Sequence, residues 1–67
     1  MTPVTSSFVE AVGYDPEARE LHVRLAGGRG YRYLGVPASV FEEFLAAPSK
    51  GTFFNGRVKH NYDWEPL

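Results

Sequence analysis

The chain has 67 residues, and its seven Lys and Arg side chains nearly balance its eight Asp and Glu side chains, for a formal net charge of -1. This length allows one small domain over residues 1–67. The absence of cysteine excludes disulfides, thiolate metal sites and a cysteine nucleophile. No apolar run approaches the ~18 residues of a membrane helix, and the N-terminus lacks a secretory signal pattern. We therefore expect a cytoplasmic protein that makes no membrane contact.

The first predicted strand covers Phe8 to Tyr14, where aromatic and branched residues predominate, and it ends at the turn-forming pair Asp15-Pro16. We expect residues 1–5 to be a loose lead-in. The inward face of the strand stays open, because it depends on the length of the turn after Asp15. The two alternatives for the inward set are Val9, Ala11 and Gly13, or Phe8, Val12 and Tyr14.

Two further strands are predicted to form a hairpin around Gly27 to Gly30. Before this turn, from Glu20 to Ala26, apolar and polar residues alternate with the period of two that indicates a half-buried strand. After it, the third strand runs from Tyr31 to Val36. Glycine favours the turn because it tolerates the positive φ that short hairpins require.

The length of the hairpin loop decides which side chains share a face of the sheet. A two-residue loop (Gly28-Arg29) and a four-residue loop (27–30) give the same register. Its pairs are Leu25 with Arg32, Val23 with Leu34, and Leu21 with Val36. In this register the aliphatic side chains lie under a covering helix. The opposite face then displays tyrosines to solvent beside basic side chains: Tyr31, Tyr33, Arg24 and His22.

A helix is predicted from Pro37 to Ala47, since Pro favours the first helical turn and Pro48 cannot continue the helix. One side of this helix carries an apolar stripe that we expect to be core. The stripe consists of Val40, Phe41, Phe44 and Leu45.

Beyond Pro48, either Ser49 or Thr52 is expected to cap a second, short helix. Asn55 and Gly56 are its weak points, and an extended segment is the alternative. Together the elements predict an α+β fold, a three-stranded antiparallel β-meander packed on one α-helix, with a short C-terminal helical segment.

The predicted tyrosine face suits single-stranded nucleic acid, because bases stack on aromatic rings while phosphates meet cations. In this hypothesis Tyr31 and Tyr33 stack bases, and Asn55 binds a base edge. Phosphates are met by five basic side chains: Arg24, Arg29, Lys50, Arg57 and Lys59. Lys50 would form an anion site with the first N–H groups of the second helix; the alternative is an ordinary helix joint.

A purely structural interpretation stands beside this hypothesis. Tyr31 and Tyr33 could pack against Tyr62 and Trp64, since aromatic residues dominate the core of a small domain. Asn55 would then cap backbone groups. A second functional class is a protein-interaction or self-association module that uses the same face or the sheet edge, with a protein partner or a second copy of the chain.

No catalytic site, metal site or cofactor is predicted. The two histidines, His22 and His60, show no arrangement with Ser6, Ser7 or Asp15 that indicates an activated nucleophile. They also lack the carboxylate cluster that a metal ion would need.

Five short strings, taken in their order and spacing, resemble the KTSC domain. They are Ser6-Ser7, Gly13-Tyr14-Asp15, Gly30-Tyr31-Arg32-Tyr33, Val36-Pro37, and the run from Ser49 to Asn55. That domain is named for its occurrence at the C-terminus of some lysyl-tRNA synthetases, and it also occurs as a small stand-alone bacterial protein. The resemblance spans nearly the whole chain, from about Ser6 to Tyr62, and no single string is specific by itself.

The resemblance implies a domain marked by a central Tyr-x-Tyr, for which RNA binding has been suggested because of the synthetase connection. The end of the chain departs from the pattern. Members tend to carry a basic tail, whereas Tyr62 is followed here by Asp63 and Glu65. Carboxylates at this end should repel phosphate.

Overall fold

Alternating apolar side chains in the first half of the chain build an antiparallel sheet. The structure is a computed structural model that describes residues 2–3 and 8–67, and its five strands lie in sequence order. The strands are β1 (Thr2–Pro3), β2 (Val9–Asp15), β3 (Glu20–Leu25), β4 (Gly30–Tyr33) and β5 (Trp64–Pro66). The predicted α+β class is confirmed. The central meander is β2–β4, while the short outer strands β1 and β5 were not predicted.

Two predictions fall partly or wholly outside the described residues. Of the predicted lead-in over residues 1–5, only Thr2–Pro3 is described, and this pair forms β1 beside Val12 and Ala11. The string Ser6-Ser7 lies outside altogether. No helix in the described part of the chain has the length and apolar character that crossing a membrane requires.

The hairpin between β3 and β4 has a different register from the predicted one. The Leu25 N–H donates to the Arg29 carbonyl at 2.7 Å, which leaves three loop residues, 26–28. Leu21 therefore pairs with Tyr33, and Val23 pairs with Tyr31. Relative to the predicted loops of two or four residues, the pairing moves by three positions, and an odd shift exchanges the faces of a strand. The predicted register and the solvent-facing tyrosine surface are therefore wrong.

Glycine makes the three-residue loop possible. Gly27 and Gly28 adopt φ angles of 98° and 91°, which side chains of L-residues rarely tolerate. The Gly28 N–H donates back to the Leu25 carbonyl at 3.0 Å, closing a turn with Gly27 at the position that needs positive φ. Two consecutive glycines thus fix the odd loop length that turns both tyrosines inward.

A β-bulge explains why neither predicted inward set of β2 is the observed one. The register between β2 and β3 shifts between Val9 and Ala11, so that Val9 and Val12 both join the core cluster. Ala11 is also buried, but it lies opposite Arg24. A bulge inserts one extra residue and moves the following side chains to the other face. Val9 lies opposite Leu25, and Val12 lies opposite Val23.

Helix α1 (Ala38–Ala46) covers the inner face of the sheet. As predicted, helix α1 begins next to Pro37 and ends before Pro48. Of the predicted stripe, Val40 and Phe44 are buried, and Phe41 stacks on Tyr14 with ring centroids 5.4 Å apart. Leu45 is 39% exposed, so its assignment to the core is wrong. The core cluster consists of Val9, Val12, Leu21, Val23, Tyr33, Val36, Val40, Phe44, Phe54 and Val58.

The predicted second helix is present. Helix α2 (Lys50–Phe53) is capped by the Ser49 hydroxyl, which accepts the Thr52 N–H at 3.3 Å. It continues as a π-helix (Phe54–Val58), in which the Lys59 N–H donates to the Phe54 carbonyl at 2.9 Å. The predicted weak points lie inside this wider turn, which buries Phe54 and Val58.

The glycine loop leads to a testable prediction. Gly27→Ala should lower the free energy of unfolding by about 1–2 kcal/mol, because alanine is strained at positive φ even in open space. Gly56→Ala is the matched control, since its new Cβ also meets open space but no positive φ is required. Urea denaturation of both variants measures the difference. Equal stability of the two would contradict the described loop.

Candidate aromatic cleft

A cleft of about 250 Å³ lies where β4, β5 and the π-helix meet. Five aromatic rings, one leucine and two basic side chains line it. They are Phe8, Leu25, Tyr31, Tyr33, Phe54, Lys59, His60 and Trp64. Tyr31 and Tyr33 share one face of β4 because they are two residues apart.

Edge-to-face contacts between the rings build the walls. Trp64 meets Tyr31 with ring centroids 5.1 Å apart at 88°, and Tyr33 meets Phe54 at 5.6 Å and 79°. Phe54 in turn meets Phe8 at 5.8 Å and 89°. Such pairs contribute about 0.5–1.5 kcal/mol beyond the area that they bury. The walls are therefore held by the same contacts that hold the core.

Tyr33 supplies a polar atom at the base of the cleft. Its side chain is 3% exposed, and no described residue forms a hydrogen bond with its hydroxyl. Among the described residues, Arg32 Nε is the only fully buried side-chain N or O atom without a hydrogen bond. The Tyr33 oxygen also lacks a hydrogen bond, so it cannot be fully buried. It opens into the cleft that Tyr33 lines. Burial raises the pKa of the Tyr33 phenol above 10, and charge on Tyr31 raises it further. The hydroxyl therefore keeps its proton at neutral pH.

Trp64 and its neighbour on β5 point in opposite directions, as adjacent residues of a strand do. Trp64 lines the cleft and is 52% exposed. Glu65 lies on the outer face, where its Oε1 is 3.0 Å from Arg32 Nε, in a geometry too bent for a hydrogen bond. Glu65 of the acidic tail thus has a cationic partner on the side of the sheet away from the cleft.

The predicted phosphate-binding cations are not brought together. Arg24 Nε lies 2.9 Å from Glu10 Oε1 on the outer face of the sheet. Arg57 Nη2 lies 3.1 Å from Glu43 Oε2, and Arg57 Cζ lies 5.3 Å from the centre of the Phe53 ring. Exposed ion pairs of this kind contribute only about 0–1 kcal/mol, but a phosphate would have to compete with the neighbouring carboxylates.

Lys50 lies at a helix end rather than at an anion site. Its ammonium donates to the carbonyl of Leu45 at 2.9 Å and to that of Ala47, the last carbonyls around α1. A cation at the C-terminus of a helix is favoured by the helix dipole. Helix α2 itself has only four residues. The position of Lys50 is the ordinary helix joint that stood as the alternative.

The remaining predicted residues lie in three places. Arg29 is exposed directly after the hairpin loop, near Tyr31. Asn55 is exposed on the π-helix, and no described residue forms a hydrogen bond with its side chain. Lys59 is the one predicted cation that lines the cleft, and no ion pair with it is formed within the described part of the chain.

Sequence reasoning missed His60, Phe8 and Phe54 as lining residues, and it placed Trp64 only in the structural alternative. One signal could have found Trp64. Tyr62, Trp64 and Pro66 alternate with Asp63 and Glu65, and this period of two indicates a strand. Pairing of that strand with β4 puts Trp64 opposite Tyr33.

Comparison with known proteins agrees with the predicted resemblance. The sequence model of the KTSC domain matches residues 5–62. The crystal structure of a KTSC domain protein from Yersinia pestis is similar over 98% of this chain and 93% of that one, with a TM-score of 0.93 and 39% identity. A protein of Tsukamurella paurometabola is 50% identical over 62 residues, 92% of each chain. A lysine–tRNA ligase of Nostoc sp. is 38% identical over 61 residues, which are 91% of this chain and 11% of the ligase.

Lys50, the first residue of α2, and Lys59, which follows the π-helix, should respond differently to mutation. Lys50→Met removes the ammonium that binds the α1 carbonyls, and it should lower the free energy of unfolding by about 0.5–1 kcal/mol. Lys59→Met, the matched control, should change it by less than about 0.5 kcal/mol. Urea denaturation of both variants measures this. Wild-type stability of Lys50→Met would contradict the capping role.

Proposed function

The chain belongs to the KTSC domain family, and we propose that it is a non-catalytic binding module whose aromatic cleft holds one unpaired base of a single-stranded nucleic acid, RNA in particular. The observation that carries this proposal is the half-exposed Trp64 ring beside a cleft lined by further rings and by Lys59. Single-strand binders combine such stacking surfaces with cations that meet the backbone. The proposed location of the protein is the cytoplasm.

The two basic side chains of the cleft support a phosphate contact. Lys59 and His60 are consecutive, exposed and adjacent to the aromatic walls. A base inserted between the walls would leave its own phosphate at the rim. Among the described residues that line the cleft, Lys59 is the only Lys or Arg. The electrostatic contribution should therefore be small, and the stacking contribution should dominate.

The ligase relatives point to RNA as the partner class. A protein that joins lysine to tRNA contains a segment that is 38% identical to this chain. The segment is 11% of that ligase, so the likeness concerns this small domain and not the rest of the ligase.

A second candidate function, self-association or the docking of a protein partner, is favoured by exposed apolar side chains at β5. Trp64 is 52% exposed and Leu67 is 58% exposed. Strand addition at this edge is disfavoured, however. The Leu67 N–H bonds to the Gly30 carbonyl, so residues 64 and 66 direct their backbone groups outward, and Pro66 has no N–H to donate.

Replacement of Trp64 tests the proposal. Trp64→Ala should weaken binding of a labelled short single-stranded RNA by about 1–3 kcal/mol, the usual contribution of one stacked base. Leu67→Ala is the control, because it removes a similarly exposed apolar side chain outside the cleft. Fluorescence anisotropy measures both affinities, and their dependence on salt should be shallow, roughly −0.7 in log–log slope per phosphate contacted.

Two outcomes would contradict the proposal. One is the absence of RNA binding by the wild-type protein at low salt. The other is equal binding by Trp64→Ala and wild type. A molecular mass that rises with protein concentration in sedimentation equilibrium, unaffected by salt and abolished by Trp64→Ala, would instead support self-association.

A further inference from the structure

The Tyr33 hydroxyl is a recognition atom without a partner. The Tyr33 ring is 97% buried by contact with the core, yet no described residue forms a hydrogen bond with its oxygen, which opens into the cleft. Buried phenols usually have a hydrogen-bond partner, either in the protein or in an ordered water molecule. Tyr14 shows the usual arrangement in this chain, since its hydroxyl donates to the Val36 carbonyl at 2.5 Å. Tyr33 differs, because the hydrogen-bond partner of its hydroxyl has to be a group or molecule that lies in the cleft.

The cleft has room for one ring system. Its volume of about 250 Å³ is below the usual range of pockets for drug-sized ligands, roughly 300–1,000 Å³. A single planar ring fits this volume. The ring must also bring a polar edge if the hydroxyl is to be satisfied.

We infer that Tyr33 reads the edge of the bound base, donating its hydroxyl proton to a carbonyl oxygen or a ring nitrogen of that base. This inference rests on the proposed function and adds the ligand class, a heteroaromatic ring with a hydrogen-bonding edge. A hydrocarbon ring of the same size, such as a phenylalanine side chain, offers the hydroxyl no hydrogen-bond partner. Sites built around such a hydroxyl discriminate strongly against analogues that lack the partner group.

The protonation of the phenol fits the role of a donor. Because burial raises the pKa of Tyr33, the hydroxyl is neutral throughout the physiological range and can donate as well as accept. Tyr31 borders the same cleft, and the described residues give its hydroxyl no hydrogen bond either. Two hydroxyls that can each rotate can adapt to donors and acceptors alike. The cleft is therefore expected to require a polar edge without selecting one particular base.

The chain contains a built-in probe for this contact. Trp64 is the only tryptophan, and it forms a wall of the cleft. Its fluorescence reports occupancy of the cleft directly. The probe ligands are a short oligouridylate, an abasic strand of the same length, and phenylalanine amide as the hydrocarbon ring.

Tyr33→Phe keeps the buried ring and removes only the unpartnered oxygen, so we expect it to fold like the wild type. It should bind oligouridylate about three- to tenfold more weakly, the loss that corresponds to one hydrogen bond. Tyr62→Phe is the matched control, since Tyr62 lies outside the cleft, and its affinity should equal that of the wild type. The abasic strand and phenylalanine amide should quench Trp64 much less than oligouridylate.

A second measurement leaves the protein unaltered. The ¹³C resonance of Tyr33 Cζ in the wild-type protein should shift when oligouridylate is added and should stay in place with the abasic strand. Wild-type affinity of a folded Tyr33→Phe, or an unmoved Tyr33 resonance at saturation, would overturn the inference and leave the proposed function standing. If oligouridylate does not bind to the wild-type protein at all, both the inference and the proposed function are contradicted.

Discussion

The odd number of residues in one hairpin loop determines which side chains lie on each face of the sheet. Three residues, 26–28, connect β3 to β4, and their two glycines at positive φ allow that length. With it, Tyr31 and Tyr33 join Leu21 and Val23 on the inner face. An even loop would have exposed both phenols and buried Arg32 instead. The aromatic cleft exists because these two rings lie at the margin of the core, where the sheet meets the π-helix and β5.

Charge and aromatic surface are separated by the sheet. On the outer face, Arg24 pairs with Glu10, and Arg32 lies between Glu20 and Glu65. The cleft lies on the other side and carries Lys59 and His60 at its rim. A chain with a net charge of -1 thus places Lys59, which forms no ion pair with any described residue, where its rings are accessible. This arrangement favours a ligand that is held mainly by stacking, with one charged contact, over a ligand that is held by many phosphates.

Local patterns predicted much of the fold, and pairings between distant segments were missed. The alternation in β3, the Pro-bounded α1 and a helix cap at either Ser49 or Thr52 follow from neighbouring residues, and the family resemblance follows from five short strings. All four predictions are confirmed, with Ser49 as the cap. The hairpin register depended on one residue of loop length, which Gly27, Gly28 and Gly30 left ambiguous. Trp64 reaches the cleft only through its pairing with Tyr33. Lys50 reaches the carbonyls of α1 only after the chain reverses at Pro48. Such contacts depend on tertiary geometry, which periodicity does not encode.

The central claim is that the ligand enters on the aromatic side of the sheet and not on its charged side. An amide chemical-shift map of the ¹⁵N-labelled protein, titrated with a short single-stranded RNA, tests this most directly. We expect the largest shifts at Tyr31, Tyr33 and Lys59 and at the Trp64 indole, with the amides of His22 and Arg24 unmoved. Shifts confined to the outer face, or an unchanged spectrum at saturating RNA, would contradict it.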